Sequence, residues 1–197
     1  MSIEDTSLLL IKERLRGGAA VIEMLLRDNS YLETVIAATA SMSKALRSDH
    51  KVLLFGNGGS AADAQHLAAE LSGRYLRERP SLPGLALTTN GSTLTAIGND
   101  YSFESIFARQ IEGLGTAGDV AFGISTSGNS MNVIHAMEVA RRRKLITIAL
   151  TGRDGGKIRA TVDHCMCIPT LHTPRIQEAH ILTGHIICEL LERSLFG

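Results

Sequence analysis

Apolar residues recur at helical spacing at the start of the chain and in short bounded runs after it. From about residue 3 to 27, Leu8, Ile11, Leu15, Val21, Ile22, Met24 and Leu25 mark one helix, with Gly17-Gly18 expected to break it. Asp28-Asn29-Ser30 reads as a break and cap, and residues 31–47 as a second amphipathic helix. Short apolar runs then predict strands at 52–55, 85–88, 119–124, 145–150 and near 164–168. Helical stretches are expected from Ser60 onward, from 102 to about 112, over 131–143, briefly after Gly156, and over 175–195. Residues 74–80 and 169–174 read as irregular. This alternation predicts a parallel sheet with helices on both faces and right-handed crossovers. Two helices ahead of the first strand cannot hide both their faces on one sheet edge, which suggests contact with another subunit.

Composition narrows the class. A chain of 197 residues is most simply one domain, long enough for a large core. Twenty basic and twenty acidic residues balance, which argues against a partner in nucleic acid or at a membrane surface. No apolar run reaches the length of a membrane span, and the acids ahead of the first apolar run do not fit a signal peptide. Three cysteines suggest a reducing compartment. Cys165 and Cys167 fall on one face of a strand and, with no further ligands at metal spacing, read as core residues.

The chemistry sits in the loops after the strands, where ligands bind in such sheets. Gly56-Asn57-Gly58-Gly59-Ser60 follows the first strand, with Ser60 expected to cap the next helix and Asp63 in its first turn. Loop amides and a helix dipole there favour an anion or a polar substrate oxygen. His66 and Glu70, four residues apart, share one face of that helix and could grip a divalent metal or divide base and ligand duties. Thr89-Asn90-Gly91-Ser92 is a second strand-to-helix turn, and Gly98-Asn99-Asp100 is expected to interrupt the helical stretch behind it. The densest cluster is Ser125-Thr126-Ser127-Gly128-Asn129-Ser130, whose hydroxyls and amides, with a helix behind them, form a phosphate cradle. No Walker lysine accompanies it, which argues against a nucleotide triphosphate. The last helix carries Gln177, Glu178, His180 and His185. Gln177 and His185 are eight residues apart, about 12 Å of helix rise, so one regular helix does not bring both to one metal. Either the helix starts after Gln177 or the two serve sites on different subunits.

Together these stretches resemble the sugar isomerase (SIS) domain family and, within it, the phosphoheptose isomerases. The residues that carry the likeness are 56–66, Ala69-Glu70-Leu71, 98–100, 123–130, 149–156, Arg175-Ile176-Gln177-Glu178 and the closing helix with His185. The resemblance implies a three-layer α/β/α, flavodoxin-like fold with a five-stranded parallel sheet, residues 1–197 forming one SIS domain and 1–48 an N-terminal oligomerisation segment. It implies that Ser125, Thr126, Ser127 and Ser130 hold a substrate phosphate. Asn57, Gly58, Gly59, Asn99 and Asp100 would line the sugar, together with Glu70 and Gln177. His66, Glu70, Gln177 and His185 match the family's zinc ligands, one ion per subunit; Glu70 also matches its base and His185 its second acid/base group. The implied reaction converts sedoheptulose 7-phosphate to D-glycero-D-manno-heptose 7-phosphate through an enediol, the first step of ADP/GDP-heptose synthesis for lipopolysaccharide or capsule. The implied enzyme is a cytoplasmic homotetramer with sites at subunit interfaces. Asn90 stands where relatives often carry Asp, a change read as one of loop capping. Two other SIS readings compete: a non-catalytic protein that associates with the replication initiator, and a phosphosugar-sensing module. Neither needs Glu70 together with His185.

Overall fold

The structure is a computed structural model that describes residues 3–197; Met1 and Ser2, the head of the expected oligomerisation segment, lie outside the described residues. Seven α-helices and five strands are described: α1 (Ile3–Arg27), α2 (Asn29–Arg47), β1 (Val52–Gly56), α3 (Gly59–Ser72), β2 (Gly84–Ala86), α4 (Gly91–Asp100), α5 (Ala108–Leu114), β3 (Val120–Ser125), α6 (Met131–Arg142), β4 (Ile146–Gly152), β5 (His164–Ile168) and α7 (Thr173–Phe196). All strand pairs are parallel, in the order β2-β1-β3-β4-β5. The sheet is thus the expected five-stranded parallel one, with the doubly wound order 2-1-3-4-5.

Strand alternation builds two cores. Val52, Leu54, Val120, Phe122, Ile124, Ile148 and Leu150 face a layer of α1, α2, α3 and α7. Leu53, Phe55, Ala121 and Ala149 face α5, α6 and the 3-10 helix Lys157–Thr161. β1 and β3 are buried throughout, as continuous apolar runs in a sheet covered on both faces.

Several local expectations shift. α1 runs unbroken through Gly17 and Gly18, because these positions face α7: a Cβ on Gly17 would meet the Arg175 side chain at 3.7 Å and one on Gly18 would meet Glu178 Oε2 at 3.2 Å. Gly58, at φ +55°, turns the chain early, so α3 starts at Gly59. Ser60 is therefore a buried residue inside the helix and not its cap, and Asp63 lies beyond the first turn. Gly98-Asn99-Asp100 completes α4 and does not interrupt it; the break falls at Tyr101 and Ser102, before the 3-10 turn Phe103–Ser105 and α5. β2 is only three residues long. Pro174 opens α7 from within its first turn, so the helix includes Gln177, and a start after that residue is excluded. Asp28 and Asn90 cap as their types suggest, accepting from the Tyr31 and Thr93 amides at 3.0 Å each.

α2 packs on α7, where the Tyr31 and Thr183 hydroxyls meet at 2.5 Å. α1 leaves Leu8, Leu9, Leu10, Ile11 and Leu15 roughly half exposed or more.

Candidate active site

In a 2-1-3-4-5 sheet the winding direction reverses between β1 and β3, which opens a crevice at their carboxyl ends. The glycine loop after β1 and the serine loop after β3 flank that crevice. They are joined by a reciprocal amide pair: Asn57 Nδ2 donates to Asn132 Oδ1 and Asn132 Nδ2 to Asn57 Oδ1, both at 2.8 Å.

In the serine loop, the Ser125 and Ser130 hydroxyls lie 3.0 Å apart, and Ser127 Oγ accepts from the Asn129 amide at 3.1 Å. Ser130 sits at the N-cap of α6 without a side-chain bond to it, so the hydroxyl stays with Ser125 at the mouth of the helix dipole. The turn after β4 braces the loop from behind. The Ile158 amide donates to Gly128 O at 3.0 Å and the Lys157 amide to Asn129 Oδ1 at 3.1 Å. Gly128, at φ +64°, is pressed so closely on this turn that a Cβ would lie 2.0 Å from Gly155 O. Asn129 and the turn also border a cavity of about 770 Å³ that includes Arg153 and Lys157.

A second cluster lies down the α3–α7 seam. His66 Nε2 and His185 Nε2 are 2.8 Å apart, and His66 Nε2 is 3.2 Å from Glu70 Oε1. These three are the one His/Cys/Asp/Glu group among the described residues whose ligand atoms converge as a metal site requires. Two imidazole nitrogens and a carboxylate suit a divalent ion. Gly184 makes the approach possible: a Cβ there would lie 2.6 Å from Leu67 Cδ2. Tyr75 stacks on His185 at 5.4 Å between ring centroids. The segment bearing Tyr75 is fixed by buried Glu192, which accepts from the Tyr75, Leu76 and Arg77 amides at 2.9–3.0 Å and from Arg79 Nε at 3.0 Å. Burial works against the Glu192 charge, yet these four donors hold its carboxyl below the usual range. Arg79 also donates to the Glu70 and Leu71 carbonyls, closing the end of α3 just past the cluster.

Among the similarities, a family model for the SIS domain matches residues 19–152. A phosphoheptose isomerase of Sulfurimonas denitrificans is 52% identical over 188 residues, covering 95% of this chain and 96% of that protein. The chain belongs to the phosphoheptose isomerases of the SIS domain family. A solved phosphoheptose isomerase from Neisseria gonorrhoeae superposes with a TM-score of 0.85 at 44% identity, covering 98% of this chain and all of that one. One from Francisella tularensis gives 0.90 at 34%, covering 95% and 98%.

Within this family frame the named residues fall into three groups. His66, Glu70 and His185 come together. Gln177 does not join them; its Nε2 packs where a Cβ of Gly59 would be, 2.6 Å away, two helical turns above His185. Asn57, Gly58, Gly59 and the serine loop lie at the carboxyl ends of β1 and β3, and among the described residues no hydrogen bond or ion pair links the serine loop to the histidine cluster. Asn99 and Asp100, bonded to each other at 2.9 Å, stand at the far end of α4, where Asp100 lines a cleft of about 650 Å³ with Asn90, Tyr101 and Arg109. Asp63, one turn before His66, has a buried Oδ2 without a partner, and burial pushes its carboxyl up. Asn132, Tyr75, Arg79, Glu192 and Gly184 escaped sequence reasoning. Gly184 had a signal, an isolated glycine inside a helical pattern. Asn132, Tyr75 and Glu192 act across more than 70 residues, as does Arg79 toward Glu192, and leave no local trace.

Proposed function

We propose that this chain isomerises sedoheptulose 7-phosphate to D-glycero-D-manno-heptose 7-phosphate, opening the route to a nucleotide-activated heptose. The observation that supports it most is the convergence of His66, Glu70 and His185 in a chain of phosphoheptose isomerase sequence. In this reading Ser125, Thr126, Ser127 and Ser130 receive the phosphate, with Asn57, Gly58, Gly59, Asn99 and Asp100 along the sugar. His66, Glu70 and His185 would hold zinc, which when bound supplies a Lewis acid for the carbonyl, while Gln177, two turns away on the same helix, would serve as a ligand only to a neighbouring subunit's site.

Moving a carbonyl between C1 and C2 requires a proton to leave one carbon and return to the other. Glu70 carries that proton. His185 moves a proton at the adjacent oxygens, its ring fixed by Tyr75 and, behind it, Glu192. The hydroxyls and amides of the serine loop anchor the remote phosphate, so binding energy orients the reacting end.

The separation of cradle, Asn99-Asp100 and histidine cluster within one chain favours completion of each site by neighbouring subunits. The exposed leucines of α1 suit such an assembly, with residues 1–48 as the oligomerisation segment of a single SIS domain and a cytoplasmic tetramer as the working form. Among the described residues no helix is long and apolar enough to cross a membrane. The reaction is tested by incubating purified protein with sedoheptulose 7-phosphate and following the aldose by NMR, before and after chelation and zinc return. Formation of the aldose that chelation stops and zinc restores is expected. No aldose from metal-loaded protein defeats the proposal. Light scattering on the intact chain and on one truncated before Ser30 tests the assembly, since a fully active monomer contradicts it.

A further inference from the structure

Cys165 and Cys167 were expected in the core; Cys165 packs against its edge, but both are only partly buried, and their sulfurs lie 3.6 Å apart on edge strand β5. The Thr151 hydroxyl donates to Cys167 Sγ at 3.4 Å. The same sulfur lies against the turn that supports the serine loop: a Cβ on Gly155 would meet it at 2.9 Å. On the other side, the Gly155 carbonyl presses on Gly128 inside the loop. One line of contact thus runs from the thiol pair through a single glycine to the proposed phosphate cradle.

We propose that Cys167 is a site of oxidation by hydroperoxides, that Cys165 resolves it to a disulfide, and that the new bond loosens phosphate binding by displacing Gly155. In the first step the Cys167 thiolate attacks one oxygen of hydrogen peroxide. The O–O bond breaks, leaving a sulfenic acid on Cys167 and a hydroxide that takes up a proton. In the second step the Cys165 sulfur attacks the sulfenyl sulfur, the S–O bond breaks, and the oxygen leaves as water with the Cys165 proton. Two thiols and one peroxide give one disulfide and two waters.

The hydrogen bond between the two sulfurs, with Thr151 and Arg159 assisting, holds the Cys167 thiol below the usual range against burial; the same contact pushes Cys165 up. Residues two apart on a strand have Cα atoms about 6.6 Å apart, near the upper limit for a disulfide. The sulfurs must also close to about 2.05 Å. β5 therefore has to tighten where Cys167 already touches Gly155. The inference rests on the serine loop being the phosphate site, and its test keeps the two claims apart.

The test treats reduced protein with hydrogen peroxide. Free thiols and intact mass are read before and after dithiothreitol, and the affinity for inorganic phosphate is read by calorimetry at each stage. Loss of two of the three thiols, reversed by dithiothreitol, and at least a tenfold weaker phosphate affinity while oxidised are expected. Cys165→Ser should stop at a dimedone-reactive sulfenic acid on residue 167, and Cys167→Ser should keep its thiols. Retention of all three thiols in the wild type, equal peroxide consumption by Cys167→Ser, or a disulfide that leaves phosphate affinity unchanged each overturns the proposal. Reduced Ser127→Ala and Ser130→Ala give the independent check. If both bind phosphate like the wild type, the cradle reading fails and the link to phosphate falls with it, whatever the thiols do.

Discussion

The two ends of the sheet carry similar polar residues in opposite states. At the amino end, buried Asp119 accepts from Lys51 Nζ at 2.6 Å, the Lys51 amide at 3.0 Å, and the Thr116 amide and hydroxyl at 2.8 Å each. Asp163 likewise accepts from the Thr147 amide and hydroxyl at 2.8 Å. At the carboxyl end, among the described residues, the Ser125 and Ser130 hydroxyls bond only to each other, and α6 has no side-chain cap. A carboxylate that saturates its donors joins strands and stabilises. Hydroxyls and helix amides left facing a crevice are free to receive a ligand. Polar residue type alone does not separate support from site; the number of partners already engaged does.

Breaking the closed end should have the largest effect on folding. Burial opposes the Asp119 charge, but Lys51 and Thr116 hold its carboxyl below the usual range. Asp119→Ala leaves those donors and Lys51 without their partner, and should cost about 3 kcal/mol of stability in urea denaturation. Turnover per folded molecule should stay near the parent value. A large fall in turnover with unchanged stability would erase the distinction between the ends.

Breaking the open end should do the reverse. Ser127→Ala or Ser130→Ala should weaken phosphate binding by roughly 1.5–3 kcal/mol in calorimetry, the scale of a hydrogen bond to a charged group, with melting little changed. Unchanged affinity in both variants would refute the cradle.

The support behind the open end should show in pH dependence. His180 on α7 is fully buried, bonded through Nε2 to Thr151 O at 3.0 Å, and burial pushes it down to about 4. Its unfolded value is about 6.5, so between the two the unfolded chain binds more protons. The neutral ring therefore stabilises the fold above about pH 6.5 and loses that contribution as pH falls, about 2 kcal/mol between pH 7 and 5. Denaturant titrations of wild type and His180→Asn at both pH values check this, since the variant should lack that part of the slope.

Much of this was legible from the residues, and the losses have physical causes. Short continuous apolar runs and the loops between them placed the sheet and the cradle, because a buried parallel strand admits few other patterns. His66 and Glu70 were paired by helical spacing, a local quantity. His185 reached them only through a long-range approach that depends on the small size of Gly184 beside Leu67. Gly17-Gly18 and Ser60 misled for the same reason. Glycine normally weakens a helix and serine normally caps one, but close packing by α7 and the positive φ of Gly58 decided otherwise. The role of Glu192 in fixing Tyr75 had no sequence signature, since its partners are more than a hundred residues away.

The central claim is that Glu70 moves the substrate proton, and Glu70→Gln tests it while keeping side-chain size and helix propensity. With folding and zinc content measured alongside, the variant is incubated with sedoheptulose 7-phosphate in deuterium oxide and label at C1 and C2 is followed by NMR. Intact phosphate binding with exchange and turnover slowed by about 10²-fold or more is expected. Exchange at the parent rate in a folded, metal-loaded Glu70→Gln protein would contradict the claim and remove Glu70 as the base.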